Sequence, residues 1–368
     1  MKKNILIIEP FFSGSHEIWA KQYQKYSSHT IKILSMKGKF WKWRMYGGAV
    51  TMAEEFKKLD FEPDVILATD MLDLSTFLSL TRKEIPHNVE IAVYFHENQL
   101  TYPWQAESVD KQKNRDLHYG FMNYTTALNA DKVFFNSEYN MDSFYKEMKG
   151  VLKVMPDYKH KNTIDQLRAK SEVLPIGMEL SKLDECTLPV YKEDLPLILW
   201  NHRWEYDKNP EDFFKALFIL KEEGLQFRVA LLGEFYDNCP QIIKDGLDIL
   251  KDEIVVSGYM KNPEYGAWMQ AADILPVTSI HEFFGISVME AVYCGCYPIL
   301  PRRLTYPELF DDQNNPELFY DTFDQLVDLL RYSITHLNDI RQNNFSCKAS
   351  IYDWSQIIEH YDEVLADI

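Results

Sequence analysis

Residues 274–293, ILPVTSIHEFFGISVMEAVY, decide how the chain is read. Ile274–Val277 is a short apolar run of the kind that forms a strand covered on both faces, and Ile286–Tyr293 has helical character. Glu282 and Glu290 stand eight positions apart, about two helical turns, but Glu282 precedes the helix. It therefore sits beside a helix start, where the backbone N–H groups of Gly285, Ile286 and Ser287 point outward. Gly285 lets an anion approach the backbone closely, and those amides together with the helix dipole attract phosphate. Glu290, two turns in, is placed to accept hydrogen bonds from ribose hydroxyls. The plainer account is an acidic residue stabilising a helix start plus one exposed glutamate. Phe284-Gly285 inside the motif, the strand before it and Ala291 to Pro298 after it favour a site.

The same strand-then-helix alternation extends outward along the chain. Apolar runs at Asn4–Ile8, Thr30–Ser35, Val65–Ala68, Ile91–Phe95, Lys132–Phe135 and Val173–Ile176 are followed by Leu197–Trp200, Arg228–Leu232, Ile254–Ser257, Ile274–Val277 and Tyr297–Leu300. Continuous apolar runs belong to parallel strands between helix layers. The alternation occurs twice in 368 residues, so the fold class is α/β with two doubly wound, Rossmann-like domains, residues 1–178 and 190–350. The boundary lies at Gly177–Leu195, a charged stretch containing Pro189. A terminal amphipathic helix from Ser355 to about Ala366 carries Ile357, Ile358, Tyr361, Val364 and Leu365 on one face. In open α/β sheets ligands bind beyond the carboxyl ends of the strands, so the motifs there carry the chemistry and two such sheets define an interdomain cleft.

Charge is distributed unevenly. Residues 1–180 contain 24 Lys+Arg and 23 Asp+Glu, so the net charge of −17 falls entirely in the second half. An anionic macromolecule is therefore expected on the first half. No apolar run approaches the roughly 18 residues of a membrane span. The apolar stretch before Glu9 is too short for a signal peptide and reads as a first strand. Five cysteines, an odd number without a Cys-X-X-Cys pair, fit a reduced, cytoplasmic setting. Cys294-Gly295-Cys296 reads as small buried residues behind a helix rather than as a metal pair.

A second motif, Trp200-Asn201-His202-Arg203-Trp204-Glu205-Tyr206-Asp207-Lys208-Asn209-Pro210, follows the first strand of the second domain. Arg203 and Lys208 are two cations able to clamp a diphosphate and stabilise the charge it gains on leaving. The alternative is a pair of surface charges bridged to Glu205 and Asp207. Arg203 and Lys208 together with the Glu282…Glu290 motif resemble the donor domain of retaining GT-B glycosyltransferases of family 4, a likeness that covers essentially the whole chain. Phe283 stands where that family more often has Gly, and Val277-Thr278-Ser279-Ile280-His281 replaces a small polar run. The resemblance implies a GT-B fold, catalysis by His96, Arg203, Lys208 and Glu282, and donor contacts from Gly14, Phe284 and Gly285–Ser287. It also implies nucleobase contacts near Gly258, Tyr259 and Met260, and a closing helix, residues 352–368, that crosses back to the first domain.

The strings EPFFSGSH (residues 9–16), FHENQLTYP (95–103) and WNHRWEYDKNP (200–210) resemble the tRNA-queuosine α-mannosyltransferase branch of that family. The branch implies GDP-mannose as donor, with no cofactor, and the queuosine base of tRNA as acceptor. Ser15, His16, Glu97, Asn98 and Gln99 are expected at the acceptor side, and no obligate protein partner is implied. Lys37-Gly38-Lys39-Phe40-Trp41-Lys42-Trp43-Arg44 interleaves cations and aromatics, a composition suited to single-stranded RNA loops. It equally suits a membrane interface, or a loop closing over the cleft with Tyr46-Gly47-Gly48 as hinge. Lys111, Lys113, Arg115, Lys159, His160 and Lys161 add basic character to the same half. No Asp-X-Asp triplet, the usual metal grip on a sugar-nucleotide diphosphate, and no Gly-X-Gly-X-X-Gly loop occur in the sequence, so no metal is expected. Transfer to a lipid or polysaccharide acceptor at the membrane face, and a non-catalytic sugar-nucleotide or RNA-binding module, are the competing functions.

Overall fold

The computed structural model describes residues 2–102, 116–186, 194–233 and 239–368; Lys111, Lys113, Arg115, Pro103 and Pro189 lie outside the described residues. The chain forms two compact units, Met1–Met178 with Trp354–Ile368, and Glu179–Asp353.

The first unit holds one parallel sheet of β1 (Asn4–Phe12), β2 (Thr30–Lys37), β3 (Val65–Thr69), β4 (Glu90–Phe95), β5 (Lys132–Phe135) and β6 (Ser171–Val173), in the order β2-β1-β3-β4-β5-β6. Ile5–Ile8 and Val65–Ala68 are wholly buried, as strands covered by helices on both faces must be. The chain reverses its direction of sheet growth between β1 and β3, which opens a crevice beyond their carboxyl ends.

The second unit holds β7 (Leu197–Trp200), β8 (Arg228–Leu232), β9 (Ile254–Gly258), β10 (Ile274–Pro276), β11 (Tyr297–Pro301) and β12 (Phe319–Tyr320), in the order β12-β11-β10-β7-β8-β9, also parallel. That is the doubly wound dinucleotide-fold order, and its switch point lies between β7 and β10. The two motifs singled out in this half follow those two strands.

Two local expectations are corrected, and one further strand is added. The last strand of the first unit is Ser171–Val173, not Val173–Ile176. Pro175 has no N–H to give a ladder, and the carbonyls of Leu174 and Pro175 accept instead from the hydroxyls of Tyr94 (2.8 Å) and Tyr361 (2.7 Å). β12, at two residues, is too short to leave a pattern. Tyr46-Gly47-Gly48 is no hinge: it lies within the helix Trp41–Phe56, where Gly48 allows close approach to Pro10, whose Cβ would lie 3.1 Å from an added Cβ.

The terminal helix, Trp354–Ala366, belongs to the first unit and buries Trp354, Ile357, Tyr361 and Leu365. Trp19 Nε1 donates to the Tyr361 hydroxyl (3.1 Å), Trp354 Nε1 donates to Gln22 Oε1 (2.8 Å), and Asp362 accepts from Ser27 and Ser28. Gly177 lies under the Trp354 ring, so a Cβ there would sit 2.6 Å from three of its atoms. Gly177→Ala is therefore expected to lower stability by about 1–3 kcal/mol through overpacking. Trp354→Ala is expected to cost about 3–5 kcal/mol. Urea melts of the two variants against the parent check both values.

Candidate active site

At the β7/β10 switch point two loops are tied together. Thr278 Oγ1 donates to the carbonyl of Lys208 (2.7 Å) and the Ile280 N–H to that of Asp207 (2.8 Å). Arg303 holds the carbonyls of Thr278 and Ser279, at 3.1 Å each. Lys208 Nζ then reaches Glu282 Oε2 at 3.2 Å, Asp207 Oδ2 at 3.3 Å and the His281 carbonyl at 3.2 Å. Glu282 Oε1 accepts from the N–H groups of Phe283 (3.1 Å) and Phe284 (3.4 Å). Gly285 follows at φ 90°, a left-handed conformation that favours glycine, and caps the helix Ile286–Tyr293. The first N–H groups of that helix have no partner within it and lie beside the Lys208–Glu282 pair.

Electrostatics follow the packing. Burial alone would push Glu282 up, but Lys208, and then the Phe284 N–H, hold it at about 2. Burial pulls Lys208 down, and Glu282 and Asp207 outweigh it, leaving the ammonium above its ordinary value. Arg203, next along the β7 loop, is exposed and pairs with Glu205 at 3.1 Å. The pairings Arg203–Glu205 and Lys208–Asp207 are thus present, yet Lys208 is a buried cation and not a surface one.

Glu290, expected at the ribose, accepts from the Tyr265 hydroxyl at 3.0 Å, and burial raises it to about 7 against that hydrogen bond. Asn201 Nδ2 donates to the Ser287 carbonyl (2.7 Å), and His202 Nδ1 meets Ser287 Oγ at 3.0 Å. Burial and then the charge of Lys208 lower His202 to about 3, so it is neutral. Neither Tyr265 nor the His202–Ser287 contact is visible in the sequence, since the partners lie 25 and 85 residues apart. Gly258 ends β9 at φ 118° with Tyr259 exposed beyond it, and Met260 follows.

The crevice of the first unit joins residues from three strand ends. Glu9, inside β1, accepts from the Phe11 N–H through Oε1 (2.6 Å) and meets His16 Nδ1 through Oε2 (2.8 Å). Asp70, after β3, accepts the His96 N–H (2.9 Å), and the His96 ring packs 4.2 Å from that of His16. Burial would lower His16, but Glu9, Asp70 and Glu97 raise it to about 9. Burial and the neighbouring His16 charge push His96 well below its ordinary value. Burial, with Glu97 and Glu9, pushes Asp70 well above the carboxylate range against the pull of His16. Glu9, His16 and His96 also bring three possible metal-ligating atoms within 4.8 Å of one another.

Asn98, expected at the acceptor side, is fully buried. Its Nδ2 donates to Asn140 Oδ1 and Ser143 Oγ, while its Oδ1 accepts from the Thr101 N–H and hydroxyl, so it braces the loop. Gln99 Nε2 donates to Glu97 Oε1 at 2.8 Å. Gly14 (φ 54°) and Ser15 are exposed at the start of the helix Gly14–Tyr26. Lys39 lies between β2 and the next helix; Trp41, Lys42, Trp43 and Arg44 form that helix's first turn. Phe40 and Trp43 are 76% and 63% exposed, and Lys42 lies over the Trp41 ring.

Residues 4–178 match the family profile described as tRNA-queuosine alpha-mannosyltransferase N-terminal, and residues 189–345 match glycosyl transferases group 1. A tRNA-queuosine alpha-mannosyltransferase of Drosophila melanogaster is 36% identical over 321 residues, 85% of this chain and 83% of that protein. A GDP-mannose:cellobiosyl-diphosphopolyprenol alpha-mannosyltransferase of Xanthomonas oryzae pv. oryzae is 24% identical over 170 residues, 45% of each chain. Among solved structures, sucrose-phosphate synthase of Thermosynechococcus elongatus superposes with a TM-score of 0.73 at 15% identity, over 100% of this chain and 99% of that one. Two parallel doubly wound sheets and these matches define a glycosyltransferase of GT-B architecture. Within that class, the chain belongs to the tRNA-queuosine alpha-mannosyltransferase family.

The Lys208–Glu282 pair sets a pH signature. Glu282 falls from an ordinary 4.5 to about 2 in the folded state, so its stabilisation is complete above pH 4.5 and is lost as the pH drops toward 2. Lys208 is raised, so its share is lost only as the pH climbs through its elevated value. Lys208→Ala strands a buried carboxylate, at about 3–5 kcal/mol near neutral pH, and flattens the loss of stability below pH 4.5, because burial without the cation no longer leaves Glu282 depressed. Urea denaturation from pH 3 to pH 8 measures both effects.

Proposed function

We propose that the protein transfers mannose from GDP-mannose, with retention at the anomeric carbon and without a metal at the diphosphate, onto queuosine in tRNA in the cytoplasm. The single observation that carries the chemistry is the buried Lys208 cation, tied through Glu282 to the chain entering the Gly285–Ser287 helix start, with Arg203 exposed on the same β7 loop. Two relatives support the substrates: one is named for tRNA-queuosine and another for GDP-mannose.

As the glycosidic C–O bond breaks, negative charge gathers on the departing diphosphate, and groups stronger toward that charge than toward the ground state accelerate the step. Arg203, Lys208 and the outward N–H groups supply them. Lys208 is already fixed by Glu282, so little reorganisation accompanies the reaction. Glu282 holds sugar hydroxyls with its accessible edge, and Glu290 holds the ribose. The queuosine hydroxyl oxygen bonds to the anomeric carbon on the face the diphosphate leaves, and its proton passes to the departing phosphate oxygen. His96 contributes a neutral imidazole toward the sugar. The exposed Phe40 and Trp43 rings and the cations Lys39, Lys42 and Arg44 take the anticodon loop by stacking and by neutralising phosphates.

Incubation with GDP-mannose, queuosine-containing tRNA and EDTA is expected to add one hexose mass to the queuosine nucleoside, in the α configuration. Label recovered in extracted lipid instead would overturn the RNA acceptor. Arg203→Ala, at an exposed position, is expected to lower kcat by about 10²–10³ while leaving the urea midpoint unchanged. Replacing Lys39 and Lys42 with Ala is expected to weaken tRNA binding and to reduce the slope of log Kd against log salt by roughly one for each phosphate that is no longer neutralised. Filter binding over a salt series reads that slope.

A further inference from the structure

The crevice beyond β1, β3 and β4 gathers more carboxylates than its one cation balances. Glu9, Asp70 and Glu97 all act on His16, and Glu9 alone is paired with it, at 2.8 Å. Glu97 is half-buried and is steadied through one oxygen, Oε1, by Gln99 Nε2. Beside it stand polar atoms that make no hydrogen bond among the described residues: both ring nitrogens of His96, Asp70 Oδ2 and Gln99 Oε1. His96 is 6% exposed and Asp70 fully buried, and the His96 ring lies against His16. Buried polar groups left without partners are rare, and a cluster of them at a switch point marks a place where a ligand completes the network. The other rings packed on His96, Trp19 and Tyr94, bring no further formal charge.

We propose that this crevice is a subsite for a secondary ammonium flanked by hydroxyls, with Glu97 as the carboxylate that takes the positive charge. It rests on the queuosine reading above: queuosine joins its deazaguanine ring to a cyclopentenediol through a secondary amine, protonated at neutral pH. Glu97 pairs with that nitrogen, and the diol faces the His16 and His96 side. Acceptor choice then follows from charge as well as from shape, because a neutral arm would leave Glu97 desolvated and unpaired.

Three anticodon stem-loops test this with the full chain and GDP-mannose: one with queuosine, one with its amine methylated (charge kept) and one with it acetylated (charge lost). The parent protein is expected to use the methylated loop at least about tenfold better than the acetylated one, by kcat/KM. Glu97→Gln should raise KM for the queuosine loop by a similar factor, abolish the discrimination between the two modified loops and leave KM for GDP-mannose unchanged. Glu97→Asp should restore part of it. If Glu97→Gln discriminates as the parent does, the subsite assignment is overturned while the queuosine reading stands. If the parent transfers nothing to the queuosine loop, that reading falls and takes the subsite with it.

Discussion

A buried ion pair between Lys208 and Glu282 is the constraint on which the second unit's site depends. Such pairs seldom add net stability, because desolvating two charges offsets most of their attraction. Their value here is geometric. Lys208 Nζ reaches Glu282, Asp207 and the His281 carbonyl from one position, while the backbone on either side is bolted by Thr278 and Ile280. The loop after β7 and the loop after β10 thus cannot move independently. Gly285, held at φ 90°, then turns the chain into the helix whose N–H groups share the site. A cation and a helix start fixed in this way act on developing charge without waiting for side chains to rearrange.

The same residue type is set to opposite states in the two crevices. His16 and His202 are both buried and both follow a β-strand. Glu9, with Asp70 and Glu97 beyond it, holds His16 protonated against its burial, whereas burial, and then Lys208, keep His202 neutral against the pull of Glu282 and Asp207. In the first unit's crevice the His16 cation is taken up by Glu9, its 2.8 Å partner, and leaves Glu97 unbalanced. A neutral imidazole in the second leaves the charge balance to Lys208 and Arg203, and frees its hydrogen bonding for Ser287 of the helix start.

Much of this was legible in the sequence, for physical reasons. Strands covered on both faces must be continuously apolar, so β1, β3, β4, β5, β7 and β8 stood out, as did the helix after Gly285. The Arg203, Lys208, Glu282 and Glu290 positions were visible because each lies just after a strand or in the helix that follows it. What stayed hidden depends on distant partners. Asp70 is one acid after an apolar run; Tyr265 matters only through Glu290; and the hinge suggested by Gly47-Gly48 dissolves once Gly48 is seen packed on Pro10. Asn98 does emerge just past β4, but its hydrogen bonds are spent on Asn140 and Ser143. A sequence shows where a polar side chain emerges from the sheet and not whether a neighbour has already claimed it.

The uneven charge of the chain fits a division of labour once the range of electrostatics is considered. Surface charges more than about 8 Å from a site are largely screened at physiological salt. A small anion such as a sugar nucleotide therefore responds to the few groups that line its crevice, and the acidic second unit can bind it through Lys208, Arg203 and a helix start. A nucleic acid is different: it presents a phosphate every few ångströms over a long footprint, so it samples the average charge of the face it meets. That face must be neutral or basic over many residues, which only the first half of the sequence supplies. The proposal that the extended anion meets the near-neutral unit and the compact one the acidic unit rests on this difference in range.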